Sequence, residues 1–337
     1  MKKGIAIAGT IAVDEIKQVE GYPNKTELAT ISSMNRSLGG AVANCSLALT
    51  RIDPTLPIET WCILGKDEKG RFIYDQLKEN SNMDVSKVVF AGTTPFTDVI
   101  QDQTDKTRTF YHYKGNAPLF NEHTIDLANI KSEILHIAYL LLLDGLDRYD
   151  KEYGTKMARL LKKAQEHGLK TSIDMVSENQ NRYQQMVPPS LKFTNFCVIN
   201  EYEAGKTIGI DLRQDGRLLA SNIKETLYML KAYGVKDWVI IHAPEGSFGF
   251  DGRNYYSLPS LKINRDEIKG TVGAGDAYVS GILYGAHKGL EILEAMQLGT
   301  VTAATSLFRE DSYSGIEAYE KLLNIYKSYP KRETLAL

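Results

Sequence analysis

The chain has 337 residues, 43% of them hydrophobic and 24% charged, which is typical of a globular protein with a large core. Its formal net charge of −2 argues against the basic surface that binds nucleic acid or an anionic membrane. The three cysteines, Cys45, Cys62 and Cys197, are far apart in the sequence, which argues against a disulfide framework or a zinc ribbon and favours a reducing compartment.

The apolar segments of the sequence are too short to predict a signal peptide or a membrane span. The N-terminal run over 4–9 is short and interrupted by glycine. The longest apolar stretch, 134–143, is about half the length that a transmembrane helix needs, and it contains His136. We therefore expect a cytoplasmic protein.

The first third of the chain predicts strands and helices with a polar interruption. In chain order we expect a strand over 5–8, a helix over 41–50, a strand over 60–64 and a helix over 70–80. Residues 15–36 are polar and irregular. Alternating polar and apolar residues over 97–101 and 108–113, around a polar turn at 102–106, predict a half-exposed hairpin.

From residue 134 onwards, buried strands alternate with long helices. We predict strands over 134–143, 170–174, 196–199 and 238–242, and helices over 151–167, 218–233, 276–288 and 290–308. This alternation is typical of a mostly parallel sheet with helices on both faces, so the predicted fold class is a three-layer α/β/α fold. The β-rich pieces at 10–36 and 87–115 would form a small accessory sheet.

A glycine-rich run opens the helix predicted over 276–288, where residues 270–276 read G-T-V-G-A-G-D. Its glycines allow close ligand approach, and the free N–H groups of a helix start form an anion site. A Walker A loop would need Lys where Asp276 stands, and a dinucleotide fingerprint would need Gly where Tyr278 stands. An anion hole beside a carboxylate remains, which suits phosphoryl transfer to a hydroxyl; the plain alternative is a glycine loop with Asp276 capping the helix.

The run over 270–281 resembles the C-terminal signature of the ribokinase-like (PfkB) family of carbohydrate kinases, D-T-x-G-A-G-D-x-F-x-x-G. The resemblance implies that Asp276 is the catalytic base. It also implies that the backbone amides of Gly273, Ala274 and Gly275 form the anion hole. Because it lies at a helix N-terminus, we expect Asp276 to be a weak base.

The sequence departs from this signature at its first position. The family has an Asp there, and in members activated by a monovalent cation that Asp helps to hold the ion. This chain has Gly270 instead. The departure argues against activation by a monovalent cation.

The residues near position 40 resemble a second family signature, since Gly39, Gly40 and Asn44 match G-G-x-x-x-N. Asp14, after the first strand, is similar to the hydroxyl-binding Asp of the family. The resemblance implies that these four residues bind the acceptor, since glycines admit a polyol and Asn offers a donor and an acceptor. Taken alone, Asn44 would be a solvated helix residue and Asp14 a surface residue.

Residues 196–204 are similar to a strand followed by the N-x-x-E motif of the family. The resemblance implies that Asn200 contacts ATP and that Glu203 organises Mg²⁺ through water. The same spacing also fits a capping box at a helix N-terminus, and both interpretations can hold together.

Three further residues are implied in ATP binding by the resemblance. Thr271 lies in the glycine-rich run, and Gly246 lies in the turn after the strand predicted over 238–242. Thr300 lies on the helix that would form the wall of the adenine site.

The predicted hairpin fits the lid of the family, which would close over the sugar and exclude water. The resemblance implies one kinase domain over 1–325, with lid segments at 10–36 and 87–115. The residues that follow, 326–337, are charged, and we expect them to form a frayed tail. Arg108 would reach the substrate or a phosphate, or else remain on the lid surface. An exposed lid sheet often serves as a dimer clasp in the family, so we expect a homodimer.

Together the motifs predict transfer of the γ-phosphoryl group of ATP to a sugar hydroxyl, with Mg²⁺ bridging the phosphates. A sugar phosphate would need a cationic clamp, and Lys25, Arg36 and Arg108 form no obvious cluster in the sequence. A nucleoside would need an aromatic platform, which the hairpin aromatics could supply, although a lid core needs aromatics too. A non-catalytic ligand-binding protein on the same fold would have lost the base or the anion hole, and both are present.

Overall fold

The computed structural model describes residues 2–104, 107–178 and 180–337. Asp105 and Lys106, in the predicted turn of the hairpin, lie outside the described residues. Within the described residues the strands are β1 (Ile5–Gly9), β2 (Ala12–Val19), β3 (Ile31–Gly39), β4 (Ile58–Trp61), β5 (Ile63–Leu64), β6 (Met83–Asp84), β7 (Val89–Phe90), β8 (Phe96–Asp102), β9 (Arg108–Tyr113), β10 (Ile134–Leu140), β11 (Tyr149–Asp150), β12 (Gly154–Thr155), β13 (Lys170–Met175), β14 (Phe196–Asn200), β15 (Arg213–Gln214), β16 (Arg217–Leu218), β17 (Trp238–Ala243), β18 (Gly246–Phe250) and β19 (Tyr255–Pro259).

The helices of the same residues are α1 (Ala41–Ile52), α2 (Glu68–Lys78), α3 (Lys156–Glu166), α4 (Tyr183–Met186), α5 (Pro188–Leu191), α6 (Glu201–Ile208), α7 (Ala220–Ala232), α8 (Ala274–His287), α9 (Ile292–Ser306) and α10 (Tyr319–Ser328). Short 3₁₀ turns occur at Ala117–Leu119 and Leu127–Asn129. Among these described helices there is none with the length and apolar character needed to cross a membrane.

The central sheet of the described residues has nine strands in the order β19-β18-β17-β14-β13-β10-β1-β4-β6. The neighbours from β17 to β6 pair in parallel, whereas β18 and β19 add antiparallel pairs at one edge. Strand β1 is buried along its whole length, which explains why it reads as a continuous apolar run. The carboxyl ends of the parallel strands meet at one edge, where sheets of this kind bind ligands.

Two apolar layers flank the central sheet, and β1 contributes to both. Ile5 and Ile7 pack in the layer that includes residues of α1, α8 and α9. Ala6 and Ala8 point to the other face and pack in the layer that includes residues of α3, α6 and α7. The predicted three-layer α/β/α fold is therefore confirmed.

A second sheet of four strands, β3-β2-β8-β9, is the predicted accessory sheet. Strand β2 pairs antiparallel with β3 and parallel with β8, and β8 and β9 form the predicted hairpin. The irregular structure predicted over 15–36 is wrong at both ends, because β2 runs to Val19 and β3 begins at Ile31. Strand β3 is exposed from Ile31 to Arg36, so it lacks the buried alternation by which a strand is recognised.

Most predicted elements agree with the structure within about two residues, but the strand predicted over 60–64 is divided between β4 and β5, and two further elements have clearly different bounds. The helix predicted from residue 151 begins at Lys156, because 149–155 include the small β11–β12 hairpin. The strand predicted over 134–143 ends at Leu140, because the chain turns there and both Tyr139 and Leu141 have positive φ angles, of 66° and 76°.

The C-terminal segment after α10 is ordered against the edge of the central sheet. The carbonyl oxygen of Pro330 accepts from the amide of Lys262 at 2.8 Å, and the amide of Arg332 donates to the carbonyl oxygen of Ser260 at 2.9 Å. Lys331 also forms an isolated β-bridge with Leu261. The prediction of a frayed tail is therefore wrong.

Candidate active site

The glycine-rich run leads directly into α8 through an unusual backbone conformation. Gly273 is the N-cap residue of α8, with a φ of 77°, and a Cβ atom there would lie 2.2 Å from Cβ of Ser312. Glycine is therefore required at this position for both conformation and space. The first-turn N–H groups of α8 then face outward from the helix start, which is the geometry of an anion site.

Asp276 lies in the first turn of α8 and is 3% exposed. Its Oδ2 accepts from Asn44 Nδ2 at 2.7 Å and from Tyr139 Oη at 2.9 Å. Burial raises the pKa of Asp276 to about 6, while these two hydrogen bonds lower it. We expected the helix N-terminus to lower the pKa of Asp276 and so make it a weak base. This expectation is wrong, because burial raises the pKa instead.

Asn44 is enclosed by protein contacts one turn into α1. It is 4% exposed, donates to Asp276, and accepts from Ser312 Oγ at 2.6 Å through Oδ1. The interpretation of Asn44 as a solvated helix residue is therefore wrong. Gly40, the N-cap residue of α1, allows this helix to start close to the loop after β1, since a Cβ there would lie 2.9 Å from Cα of Ile11.

Asp14 lies on β2 beside Gly39 and is partly buried. Its pKa is raised to about 6, chiefly by burial, with a further increase from the charge of Asp276. A hydrogen bond from Thr97 and the charge of Arg108 act in the opposite direction. The four-stranded sheet β3-β2-β8-β9, which corresponds to the predicted lid and is called the lid below, thus brings Asp14 and Arg108 into one electrostatic environment with Asp276.

The strand register explains why Arg108 lies near Asp14. Asp14 pairs with Thr97, and Arg108 pairs with Gln101. Thr97 and Gln101 are an even number of residues apart on β8, so their side chains, and those of their partners, lie on the same face of the lid. Arg108 is therefore on the face of the lid that carries Asp14.

Asn200 and Glu203 form a reciprocal capping box at the start of α6. Asn200 Oδ1 accepts from the amide of Glu203 at 2.9 Å, and Glu203 Oε2 accepts from the amide of Asn200 at 3.0 Å. Glu203 is 5% exposed, also accepts from Ser177 Oγ, and has a pKa raised by burial to about 7. The capping interpretation is confirmed, and it places a buried carboxylate at the carboxyl end of β14.

Asp174 was not singled out in the sequence, although it joins this group. It ends the strand predicted over 170–174, and a carboxylate at that edge of a parallel sheet could have marked it. Asp174 accepts from the amide of Tyr139 at 2.8 Å, and burial and the charge of Asp276 raise its pKa well above the usual value. Asp174, Glu203 and Asp276 line one cavity of about 190 Å³.

This acidic cavity has the chemistry of a site for a hard cation. Carboxylate oxygens are the protein ligands that Mg²⁺ prefers. Burial raises the pKa values of Asp174, Glu203 and Asp276, and the charge of Asp276 raises those of Asp174 and Glu203 further; a cation would relieve both effects. Within the described ranges, however, there is no group of three His, Cys, Asp or Glu side chains close enough to hold a metal ion by themselves.

A larger cavity of about 540 Å³ adjoins the acidic one, and Asn200, His242 and Gly275 line both. The structure brings together here the four residues implied in ATP binding, Asn200, Gly246, Thr271 and Thr300. Most of its wall is apolar, with Leu261, Ile263, Ile268, Ala303, Ala304 and Leu307. A mostly apolar cavity of this size, with Ala274 and Gly275 of the helix start in its lining, suits a nucleotide.

His242 has the properties of a neutral wall residue of this cavity. Its ring lies 5.0 Å from that of Tyr278 with an interplanar angle of 31°. Burial lowers the pKa of His242 to about 4. His242 therefore gives the cavity no positive charge at neutral pH.

The surroundings of Gly270 do not fit the monovalent-cation site implied by the family. A Cβ atom on Gly270 would lie 2.8 Å from the carbonyl oxygen of Arg309 and 2.9 Å from that of Glu310. The space that an Asp side chain would need is thus filled by backbone. The residues present do not supply the carboxylate of such a site.

Comparison with known proteins decides the family. Residues 2–318 match the model of the pfkB family carbohydrate kinases. The chain belongs to the PfkB family. It is therefore a kinase of the sugar-kinase class, a phosphotransferase with an alcohol group as acceptor.

Relatives of this PfkB protein act on different acceptors, to judge from their names. A nucleoside kinase of Methanocaldococcus jannaschii is 23% identical over 321 residues, which cover 95% of each chain. A 5-dehydro-2-deoxygluconokinase of Bacillus cereus is 24% identical over 280 residues, or 81% of this chain and 80% of that one.

Solved structures share the fold of this PfkB protein. A ribokinase of Arabidopsis thaliana, complexed with ribose and ATP, superposes with a TM-score of 0.79 at 15% identity and covers 97% of this chain and 99% of that chain. The M. jannaschii nucleoside kinase gives a TM-score of 0.74 at 21% identity, and the superposition covers 97% of this chain and 99% of that chain. These likenesses show that the chain has the fold of the ribokinase family.

Proposed function

We propose that the protein transfers the γ-phosphoryl group of ATP to a sugar hydroxyl with Asp276 as the general base. The observation that carries this proposal is the position of Asp276 in the first turn of α8, beside the outward N–H groups and next to the 540 Å³ cavity. Gly275 lines both cavities, so a phosphoryl group at the helix start would lie between the nucleotide and the carboxylate.

In this mechanism the protein positions the reactants and stabilises charge. The amides of Gly273, Ala274 and Gly275 would stabilise the phosphoryl oxygens, and Asp276 would take the proton of the attacking hydroxyl. A loose transition state requires placement more than basicity, so a base with a pKa of about 6 is sufficient.

We assign acceptor binding to Asp14, Gly39, Gly40 and Asn44. The charge of Asp276 raises the pKa of Asp14, which supports their sharing one site. Arg108, on the same face of the lid, would then contact the acceptor or the phosphoryl group when the lid closes and excludes water.

Magnesium would be held near Glu203, through water, by the ATP phosphates and the acidic cavity. A divalent cation at this position neutralises phosphate charge during transfer. We propose no monovalent cation, because backbone atoms fill the space in front of Gly270.

We also propose that the protein is a cytoplasmic homodimer formed through the lid. Met34 and Tyr111 are 62% and 65% exposed and lie on the face of the lid opposite to Asp14. Two such faces would cover each other's apolar side chains. Sedimentation would show a monomer for Tyr111→Glu and a dimer for the unchanged protein.

A nucleoside acceptor is the second candidate function. Phe110 pairs with Val99 and is 52% exposed on the face of the lid that carries Asp14, where it could stack on a base. The sugar moiety would bind in the same place in either case. A non-catalytic ligand-binding role is not supported, because the chain keeps Asp276 and the glycine-rich helix start that we propose as base and anion hole.

The test is release of ADP from ATP and Mg²⁺ in the presence of a panel of sugars, sugar phosphates and nucleosides. We expect at least one sugar to raise the rate above the acceptor-free blank. A response confined to nucleosides would favour the second candidate. If none of the acceptors raised ADP release, the proposed function would be refuted.

A further inference from the structure

Tyr139 occupies a backbone conformation that normally belongs to glycine. Its φ of 66° lies in the left-handed region, which is disfavoured for a bulky side chain. Residues held in such conformations concentrate at sites where the strain positions a functional group. The contacts of Tyr139 show which group is positioned here.

Tyr139 bridges two buried carboxylates at the carboxyl end of β10. Its hydroxyl donates to Oδ2 of Asp276 at 2.9 Å, and its backbone amide donates to Oδ1 of Asp174 at 2.8 Å. Asn44 donates to the same Oδ2 of Asp276 at 2.7 Å. In the described part of the chain, both side-chain donors that reach the carboxylate of Asp276 therefore use its Oδ2.

We propose that Tyr139 is a positioning residue that fixes Oδ2 of Asp276 and so presents Oδ1 to the acceptor hydroxyl. This inference rests on the proposed role of Asp276 as the base. In the step it serves, the acceptor oxygen bonds to the γ-phosphorus while its O–H bond breaks. The bond from the γ-phosphorus to the bridging oxygen of ADP breaks, and the proton moves to Oδ1.

A hydroxyl donor matters at this position because burial opposes the ionisation of Asp276. The titratable groups that face it come from four elements: Asp14 on β2, Cys45 on α1, Asp174 on β13 and Glu203 at the start of α6. The charge of Asp276 in turn raises the pKa of each of them. A hydrogen bond to the ionised carboxylate favours the charged form. Without the Tyr139 hydroxyl, Asp276 would thus be both less fixed and harder to ionise.

The experiment compares Tyr139→Phe with Tyr284→Phe. Tyr284 donates to a carboxylate oxygen of Asp53 at 3.0 Å, outside both cavities, so it provides a matched loss of one tyrosine–aspartate hydrogen bond. For Tyr139→Phe we expect kcat to fall about tenfold and the acidic limb of its pH profile to move up by about one unit. The KM for ATP of Tyr139→Phe should match that of the unchanged protein. The kcat and the pH profile of Tyr284→Phe should match those of the unchanged protein as well.

Each outcome supports or overturns the inference. Loss of turnover in Tyr139→Phe with normal ATP affinity by equilibrium titration supports it, whereas loss of ATP affinity shows that Tyr139 only maintains the fold. An unchanged pH profile and kcat overturn positioning by Tyr139. If Asp276→Asn is inactive in that case, the base assignment still stands; if Asp276→Asn is fully active, the base assignment itself is wrong.

Discussion

A Cβ atom on Gly39 would lie 2.5 Å from the carboxyl carbon and both carboxylate oxygens of Asp14. Gly39→Ala must therefore displace the Asp14 carboxylate. We expect the KM for the acceptor to rise about tenfold or more, since hydrogen bonds to a charged group contribute about 1.5–3 kcal/mol. Steady-state kinetics should show an unchanged KM for ATP, and Ser33→Ala on the same strand should change neither constant. An equal rise in both KM values would contradict the assignment.

Asp174→Asn should stabilise the protein at alkaline pH while reducing its activity. The raised pKa of Asp174 means that the folded state binds more protons than the unfolded state. Stability is therefore lost as the pH rises above the pKa that Asp174 has in the unfolded state. Asn keeps an acceptor for the Tyr139 amide but removes the charge. We expect a Tm increase of about 2–6 °C at pH 8 and a smaller one at pH 5.

The matched control for this measurement is Asp84→Asn. Hydrogen bonds from Ser86 help to lower the pKa of Asp84, so its removal should reduce the Tm slightly at pH 8. A lower Tm for Asp174→Asn at pH 8 would contradict the expected cost of burying the charge of Asp174.

Potassium should leave the rate unchanged. The carbonyl oxygens of Arg309 and Glu310 lie within 2.9 Å of a Cβ built on Gly270, so Gly270→Asp cannot restore a cation site without moving this backbone. We expect Gly270→Asp to lower stability by about 1–3 kcal/mol, as overpacking does, and to remain insensitive to potassium. Rates in potassium and in tetramethylammonium buffers give the comparison. Activation of the unchanged protein by potassium would refute this expectation.

Arg332 brings a positive charge to the nucleotide cavity from the C-terminal segment. Among the described residues that line this cavity it is the one Lys or Arg side chain. Arg332→Gln should raise the KM for ATP about two- to fivefold, since an exposed ion pair contributes about 0.2–1 kcal/mol, and the effect should shrink at high salt. Arg253→Gln, at an exposed turn, is the control. If Arg332→Gln and Arg253→Gln had equal KM values for ATP, Arg332 would not contribute to ATP binding.

The parallel centre of the main sheet could be predicted because its strands are largely buried and read as apolar runs, whereas β6, β18 and β19 were not predicted. Strand β3 could not, because from Ile31 to Arg36 it is exposed and carries no periodic signal. The tail was mispredicted for a related reason. Its backbone amides and carbonyls, rather than its charged side chains, attach it to Ser260 and Lys262.

The site was predictable where one short segment carries its chemistry. The motif at Asp276 and the glycine pair before Asn44 could be recognised from local sequence alone. The contact between Tyr139 and Asp174 could not, because it depends on β10 and β13 being neighbours in the sheet. The raised pKa of Asp276 likewise depends on burial, which no local pattern reports.

The most direct test of the account is the turnover number of Asp276→Asn with ATP, Mg²⁺ and an acceptor found in the panel. General base catalysis contributes about 10²–10⁴-fold, so we expect kcat to fall by that factor while equilibrium binding of ATP is retained. A variant that binds ATP and keeps a kcat within about twofold of the unchanged protein, far less than a lost base would cost, would contradict Asp276 as the base.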